Sequence, residues 1–116
     1  MLIPAPVEIH LSIQPTDMRK SINGLMALVV ERMELDPQSG HLFLFRNKRG
    51  DKLKTLYYER DCFTLWYRRL EKGKFKFPTL DVPHVEISQE QFQWLLNSFD
   101  FARMSPIQSQ PYHYYF

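Results

Sequence analysis

Two runs of alternating residues on either side of a charged turn, within residues 41–61, constrain the fold more than any other feature of the chain. Successive side chains of a strand point to opposite faces, so the first run predicts two apolar faces and the second a face that carries lysines. The turn at residues 47–51 contains the glycine expected of a loop of about three to five residues. The segment therefore predicts a β-hairpin with a basic and aromatic surface.

The N-terminal part of the chain predicts a strand followed by a helix. Residues 7–13 alternate apolar and polar side chains, which is typical of a half-buried strand. After Pro15, the side-chain oxygens of Thr16 and Asp17 can accept hydrogen bonds from the first free amides of a helix. Apolar residues then step by three and four positions, which predicts a helix over about residues 20–33 with one buried face. That face consists of Ile22, Leu25, Met26, Val29, Val30 and Met33.

The segment from Asp61 to Gly73 has two interpretations. Asp61 can cap a second helix that buries Phe63, Trp66, Tyr67 and Leu70 and ends at Gly73, and a long strand is the alternative. In the helical interpretation, Cys62 is a small buried thiol. Because one cysteine cannot form an internal disulfide, the chain is expected in a reducing cytoplasm.

The C-terminal part predicts two short strands and one helix. Residues 74–77 alternate Lys and Phe before Pro78, and residues 82–87 are a further candidate strand. Ser88 and Gln91 form a capping box ahead of Phe92, Leu95, Leu96 and Phe99, which again step by three and four positions. The polar residues after position 104 indicate a tail.

Together these elements predict a single α+β domain over residues 1–104 and a tail over residues 105–116. An antiparallel sheet built on the central hairpin is expected to pack against two or three helices, and the helices need one apolar face of the sheet to pack on. The 116 residues, 44 % of them hydrophobic, suffice for such a core. No apolar run approaches the roughly 18 residues of a membrane span, and the N-terminus lacks the features of an export signal. The chain is therefore expected to be soluble and cytoplasmic.

The near-neutral charge of +2 conceals a strongly basic middle. Residues 41–76 hold eleven Lys and Arg against four acidic residues, a net +7, whereas the two flanks are negative. Such a distribution attracts phosphate or an acidic partner, although solvated surface charge is the ordinary alternative. We expect Arg46, Lys48, Arg49, Lys52 and Lys54 to form one contiguous positive surface.

Arg19 and Lys20 suggest a second anion site. In the predicted helix they lie in the first turn, where the helix dipole disfavours positive charge by about 0.3 to 1 kcal/mol each. Either a bound anion such as phosphate compensates for this cost, or Asp17 forms a closed pair with a nearby cation.

The sequence offers no catalytic constellation. The four histidines, His10, His41, His84 and His113, are scattered without metal-ligand spacing, and no glycine-rich phosphate loop is present. A metal-dependent nuclease would need several converging carboxylates. Helix caps account for Asp17 and Asp61, and turns account for Asp36 and Asp51. We therefore expect a non-enzymatic protein without cofactor or metal.

Several linked motifs resemble one family of bacterial mobile elements. They include PTDMRK at residues 15–20, DP with SGHLF at 36–43, RGDKLK at 49–54 and WYRRLEKG at 66–73. Over residues 10–103 the chain resembles the Orf2-like, TnpB-type accessory proteins of insertion sequences of family sixty-six. The resemblance implies a part in transposition alongside a separate transposase, and it implies no catalytic residues.

The leading hypothesis is a non-catalytic accessory protein of transposition that contacts DNA at the element ends through its basic hairpin. An adaptor is the alternative: Trp66, Tyr67, Trp94 and the aromatic tail would dock on the transposase or on another copy of the chain, without direct DNA contact. The nuclease is a third hypothesis. The candidate DNA-binding residues are Arg19, Lys20, Arg46, Lys48, Arg49, Lys52, Lys54, Arg68 and Arg69.

Overall fold

The computed structural model describes residues 7–97, which form a five-stranded sheet and two helices. In chain order the elements are β1 (Ile9–Ser12), α1 (Ile22–Glu31), β2 (Leu42–Arg46), β3 (Lys52–Glu59), β4 (Cys62–Arg69), β5 (His84–Ile87) and α2 (Gln89–Leu96). The strands lie in the order β4-β3-β2-β1-β5. The predicted α+β class is confirmed.

The sheet is mixed, so the prediction of a fully antiparallel sheet is wrong at one pairing. β1 runs parallel to β2 with Ile9 opposite Leu42, whereas the other neighbouring strands are antiparallel. The chain passes through α1 between β1 and β2, and a crossover of this kind is what parallel strands require. β2 and β3 pair across the turn at residues 47–51, with Phe43 opposite Leu56.

Both faces of the sheet are apolar, and each packs against one helix. Leu42 and Leu44 of β2 belong to a buried cluster that includes Phe92 of α2. Phe43 and Phe45 belong to a second cluster, which includes buried residues of α1. Because alternate residues of one strand join different clusters, the two helices lie on opposite faces. The helices therefore use two apolar walls rather than one, and β1 is buried on both faces rather than half-buried.

α1 begins at Ile22, later than predicted. Its N-cap is Ser21, and Thr16 and Asp17 lie in the loop before it, so their predicted capping role is wrong. The Asp17 carboxylate instead accepts a hydrogen bond from the Arg19 amide, and such local bonds compete with helix formation. Val30, predicted on the buried face, is 54 % exposed.

Residues 62–69 form a strand, so the helix predicted there is wrong and the alternative interpretation holds. β4 pairs with β3 along its whole length. Arg60 and Asp61 join the two strands with φ angles of 51° and 61°, as the two central residues of a type I′ hairpin turn require. Asp61 is therefore a turn residue rather than a helix cap. Cys62 is exposed opposite Glu59, and its predicted burial is wrong.

The predictions for the C-terminal part have mixed outcomes. Residues 74–77 form no strand, although Phe75 is buried and its amide donates to the Gly50 carbonyl. β5 lies within the predicted residues 82–87, and α2 has the predicted capping box of Ser88 and Gln91. Phe99 and the proposed tail lie outside the described residues. No helix within residues 7–97 has the length and apolarity needed to cross a membrane.

Candidate functional site

An open groove of about 640 Å³ lies beside the turn between β2 and β3. We call it the basic groove. It is lined by the loop at residues 15–19, by residues 47–49 of the turn, by Lys52 at the start of β3 and by Tyr67 of β4. Four of these residues are cationic, and Asp17 is the one carboxylate among them.

The turn that carries most of this charge is built around Asn47. The Asn47 side-chain oxygen accepts hydrogen bonds from the amides of Gly50 and Lys52, and its amide group donates to Asp51 at 2.7 Å. This bond lowers the pKa of the Asp51 carboxyl, with smaller contributions from Arg49 and Lys52. Gly50 has a φ of +83°, a conformation that disfavours residues with a Cβ atom. The turn is therefore fixed by its own polar groups.

Three cations of the groove keep their charged groups available. The side chains of Lys48, Arg49 and Lys52 form no hydrogen bond or ion pair with another residue of the described part of the chain. Lys48 and Arg49 are exposed, and Lys52 is half-buried. Their donor groups are therefore available to an anion, while the ionised Asp51, held by Asn47, acts on Arg49 and Lys52 only through space.

Lys54 lies on the same face of β3 as Lys52, but its charged group is bound by the protein itself. Its ammonium group donates to the carbonyl oxygens of Met18 and Lys20, each at 2.8 Å, and lies 5.7 Å from the ring centre of Tyr67. Lys54 thus holds the loop that forms one side of the basic groove against β3. It is a positioning residue for that loop.

Arg46 and Arg32 fix the same loop from its other end. Arg46 donates to the carbonyl oxygen of Ile13 at 2.9 Å, and Arg32 donates to the hydroxyls of Ser12 and Thr16. Burial lowers the pKa of both guanidinium groups. Their hydrogen-bond acceptors are neutral, so these arginines contribute positive charge while they stabilise the loop. The sequence patterns did not single out Arg32.

Asp17 and Arg19 form a closed pair, which is the alternative to the predicted anion site. The Arg19 side chain donates to both carboxylate oxygens, the shortest distance being 2.6 Å, and this contact lowers the pKa of Asp17 to about 2. Both cations precede α1, which begins at Ile22, so the helix-dipole argument for an anion does not apply. Lys20 lies along Gly24 of α1 and does not line the groove.

The two predicted arginines of β4 lie on opposite faces of the sheet. Arg69 is opposite Lys52 and pairs with Glu71 at 3.0 Å, whereas Arg68 lies 5.4 Å from the Trp66 ring centre. Alternation places Arg68 on the α2 face, away from Lys52 and Tyr67. Neither arginine lines the basic groove.

Sequence reasoning left two lysines beside this surface out of the candidate DNA-binding residues and placed Tyr67 on a different element. Tyr67 was named as an adaptor anchor on a predicted helix, and its place in the groove follows from the pairing of β4 with β3, in which it lies opposite Lys54. Lys74 and Lys76 line a smaller groove of about 240 Å³ that shares Lys48 and Arg49 with the first. The signal that was available is the alternation of residues 62–69, which fits a strand as well as a helix.

Three histidines that are distant in sequence lie together near the other edge of the sheet. The ring centre of His10 is 5.2 Å from that of His84 and 6.1 Å from that of His41, and Glu8 contacts His10 at 3.0 Å. Burial lowers the pKa of both His10 and His84. Within residues 7–97, no group of three or more His, Cys, Asp or Glu side chains is arranged to hold a metal ion. His113 lies outside the described residues.

Comparison with known proteins identifies the family. The model of the family described as "IS66 Orf2 like protein" matches residues 7–106. This chain belongs to the IS66 Orf2-like family. The resemblance inferred from the sequence motifs is thus confirmed, and the chain is a transposition-associated accessory protein of insertion sequences. Nothing in the family or in the described residues points to catalysis.

Two relatives of this IS66 Orf2-like protein come from Sinorhizobium fredii (strain NBRC 101917 / NGR234). The uncharacterized protein y4jC is 37 % identical over 98 residues, which cover 84 % of each chain. The uncharacterized protein y4hO is 32 % identical over 95 residues, which cover 82 % of this chain and 83 % of the relative. No solved structure matches the chain significantly.

Proposed function

We propose that this accessory protein binds DNA directly through the basic groove during transposition, at the element ends and alongside the transposase of the same element. The observation that carries the proposal is the set of three cations, Lys48, Arg49 and Lys52, whose charged groups form no hydrogen bond or ion pair within residues 7–97. Phosphate contacts supply much of the affinity of DNA-binding proteins, and Lys and Arg are the residues that make them.

The arrangement of the groove supports this proposal over scattered surface charge. Charges that merely solubilise a protein are commonly interspersed with acidic groups. Here the carboxylates nearest the groove are already engaged: Asp17 binds Arg19, and Asp51 binds Asn47. Within residues 7–97 neither carboxylate forms a hydrogen bond with Lys48, Arg49 or Lys52, so the donor groups of these three side chains stay available to an incoming anion.

The aromatic residues favour the DNA proposal over the adaptor alternative. An adaptor surface needs exposed aromatic side chains as anchors. Trp66 and Trp94 instead pack against the cluster between the sheet and α2, where they are partly buried. Tyr67 is the exposed aromatic of this set, and it lies in the basic groove.

A salt titration with matched variants tests the proposal. Fluorescence anisotropy measures binding of labelled element-end DNA by the wild type, by Lys48→Ala/Arg49→Ala and by the control Arg60→Ala/Lys72→Ala. Each double variant removes two exposed cations, but the control removes them outside the groove. Because each phosphate contact contributes about 0.9 to the slope of log K against log salt, we expect the groove variant to reduce the slope by about 2.

The control variant separates site binding from general electrostatic attraction. Equal losses in both double variants would mean that net charge, rather than the groove, attracts DNA. If the wild type retains no DNA at low salt but co-purifies with the transposase independently of salt, the adaptor alternative replaces the proposal.

A further inference from the structure

We infer that the basic groove binds unpaired nucleotides, with the ring of Tyr67 as the surface on which a base stacks. This inference rests on the proposed DNA contact and adds the form of DNA that the groove accepts. It follows from three properties of Tyr67: its exposure, its support and its cationic surroundings.

Tyr67 exposes an aromatic surface that the fold does not use. It is 48 % exposed, and it is the one aromatic among the exposed large apolar residues of the described chain. Tyr57, on the neighbouring strand, packs instead against the cluster that includes α2. An exposed aromatic ring inside a cationic groove is the arrangement that proteins use to bind single strands, because every base offers a flat face.

The Tyr67 ring has a fixed position. β4 pairs with β3 over eight residues, and Lys54 lies directly opposite Tyr67 in that pairing. The Lys54 ammonium is tied to two carbonyl groups and lies 5.7 Å from the ring centre. With Lys54 over the ring, Tyr67 still remains 48 % exposed to a ligand. Because the ring is held before binding, stacking of a base costs little side-chain conformational entropy, which favours affinity.

The cations of the groove suit the backbone of the same strand. Lys48, Arg49 and Lys52 line the groove together with Tyr67, so one nucleotide segment can contact both the phosphate-binding groups and the ring. In a duplex the faces of the bases are covered by their neighbours in the stack. Away from the duplex ends, Tyr67 can therefore stack only on an unpaired or extruded nucleotide.

Binding of a single strand and of its blunt duplex by four proteins tests the inference. The probes are a labelled mixed-sequence strand of about 12 nucleotides and its duplex. The proteins are the full-length wild type, Tyr67→Ala, Tyr67→Phe and the control Tyr58→Ala. Tyr58 lies on the same face of the β3–β4 hairpin but outside the groove, next to Phe63. Thermal unfolding of each variant verifies that it is folded.

We expect the wild type to prefer the single strand. Loss of one stacked base costs roughly 5- to 150-fold in affinity. We therefore expect Tyr67→Ala to bind the single strand more weakly by that factor, whereas Tyr67→Phe and Tyr58→Ala bind it with the affinity of the wild type. Duplex binding and the salt slope should not change in Tyr67→Ala. Equal wild-type affinity for both probes, or an unaltered Tyr67→Ala, overturns the stacking inference and leaves the proposed DNA contact intact. Absence of wild-type binding to either probe at low salt overturns the proposed function itself.

Discussion

Replacement of Lys54 by Met is expected to destabilise the protein, although Lys54 belongs to the basic segment that the sequence assigns to DNA. Its ammonium donates two hydrogen bonds of 2.8 Å, one of them part-buried at Met18 and one exposed at Lys20. Hydrogen bonds of charged groups contribute about 1.5 to 3 kcal/mol each, and the exposed one is discounted because water replaces it. The contact with Tyr67 adds about 0.5 kcal/mol.

The sum predicts a loss of about 2 kcal/mol for Lys54→Met. For a domain of this size, that corresponds to a fall in Tm of roughly 10 °C. The matched control is Lys52→Met, which removes the same charge from the same strand. The Lys52 side chain has no hydrogen bond within residues 7–97, so its loss should change stability by no more than about 0.5 kcal/mol. Urea unfolding followed by tryptophan fluorescence measures both variants.

The salt dependence of DNA binding should also distinguish the two variants, and here Lys52→Met should show the change. Lys52→Met loses a phosphate contact, so the salt slope falls by about 1. Lys54→Met weakens binding with an unchanged slope, because the loop at residues 15–19 loses its attachment to β3. Equal stability of the two variants, or a lower slope in Lys54→Met, would refute the assignment of Lys54 as a positioning residue.

Three further predictions concern the rest of the fold. Arg60→Asn/Asp61→Gly should stabilise the protein by about 1 kcal/mol, seen as a higher Tm, because those residues favour the positive φ angles of the β3–β4 turn; an unchanged Tm contradicts this. Burial lowers the pKa of His10 and His84 below 6.5, so between the two pKa values the unfolded chain binds protons that the folded chain does not. The free energy of unfolding should therefore be highest above pH 6.5 and should decline as the pH falls below 6.5. Urea unfolding at about pH 7.5 and about pH 5.5 should show this decline, and His10→Gln should reduce it. Phe92→Ala should lose about 3 to 5 kcal/mol in urea unfolding, because Phe92 is fully buried; a loss below about 1 kcal/mol contradicts the described core.

Local signals in the sequence correctly predicted the elements that depend only on residues close together in the chain. The capping box of α2 involves only Ser88 and Gln91, and both bonds are present. The start of α1 was wrong because Asp17 hydrogen-bonds to Arg19, and a side chain that can cap a helix can equally form a turn.

β4 and the parallel pairing of β1 could not be derived from local patterns. Phe63, Trp66 and Tyr67 fit the spacing of a helix as well as that of a strand, and pairing with β3 decides between them. The turn that would have signalled a hairpin has Arg60 in place of the Asn, Asp or Gly that favour positive φ, and it lacks the glycine that commonly follows.

The count of charged residues indicated where the candidate site lies, but it did not show which cations are available to a ligand and which are bound by the protein. Residues 41–76 do carry Lys48, Arg49 and Lys52 to one groove, and this segment was recognisable from composition. The attachments made by Arg46 and Lys54 depend on carbonyl groups of a loop far away in sequence. Sequence alone could not separate cations that bind a ligand from cations that bind the protein.

The length of the turn at Arg60 and Asp61 determines which side chains of β4 face the groove. One additional residue that joined β4, with the two-residue turn kept, would shift every following side chain to the other face of the sheet. Tyr67 would then point toward α2, and Trp66 and Arg68 would take the places of Tyr67 and Arg69. Chains whose turns differ by one residue are therefore not comparable position by position along this strand. An alignment gap at the tip of the hairpin therefore changes which side chains of β4 face the groove, even though the tip itself is remote from it.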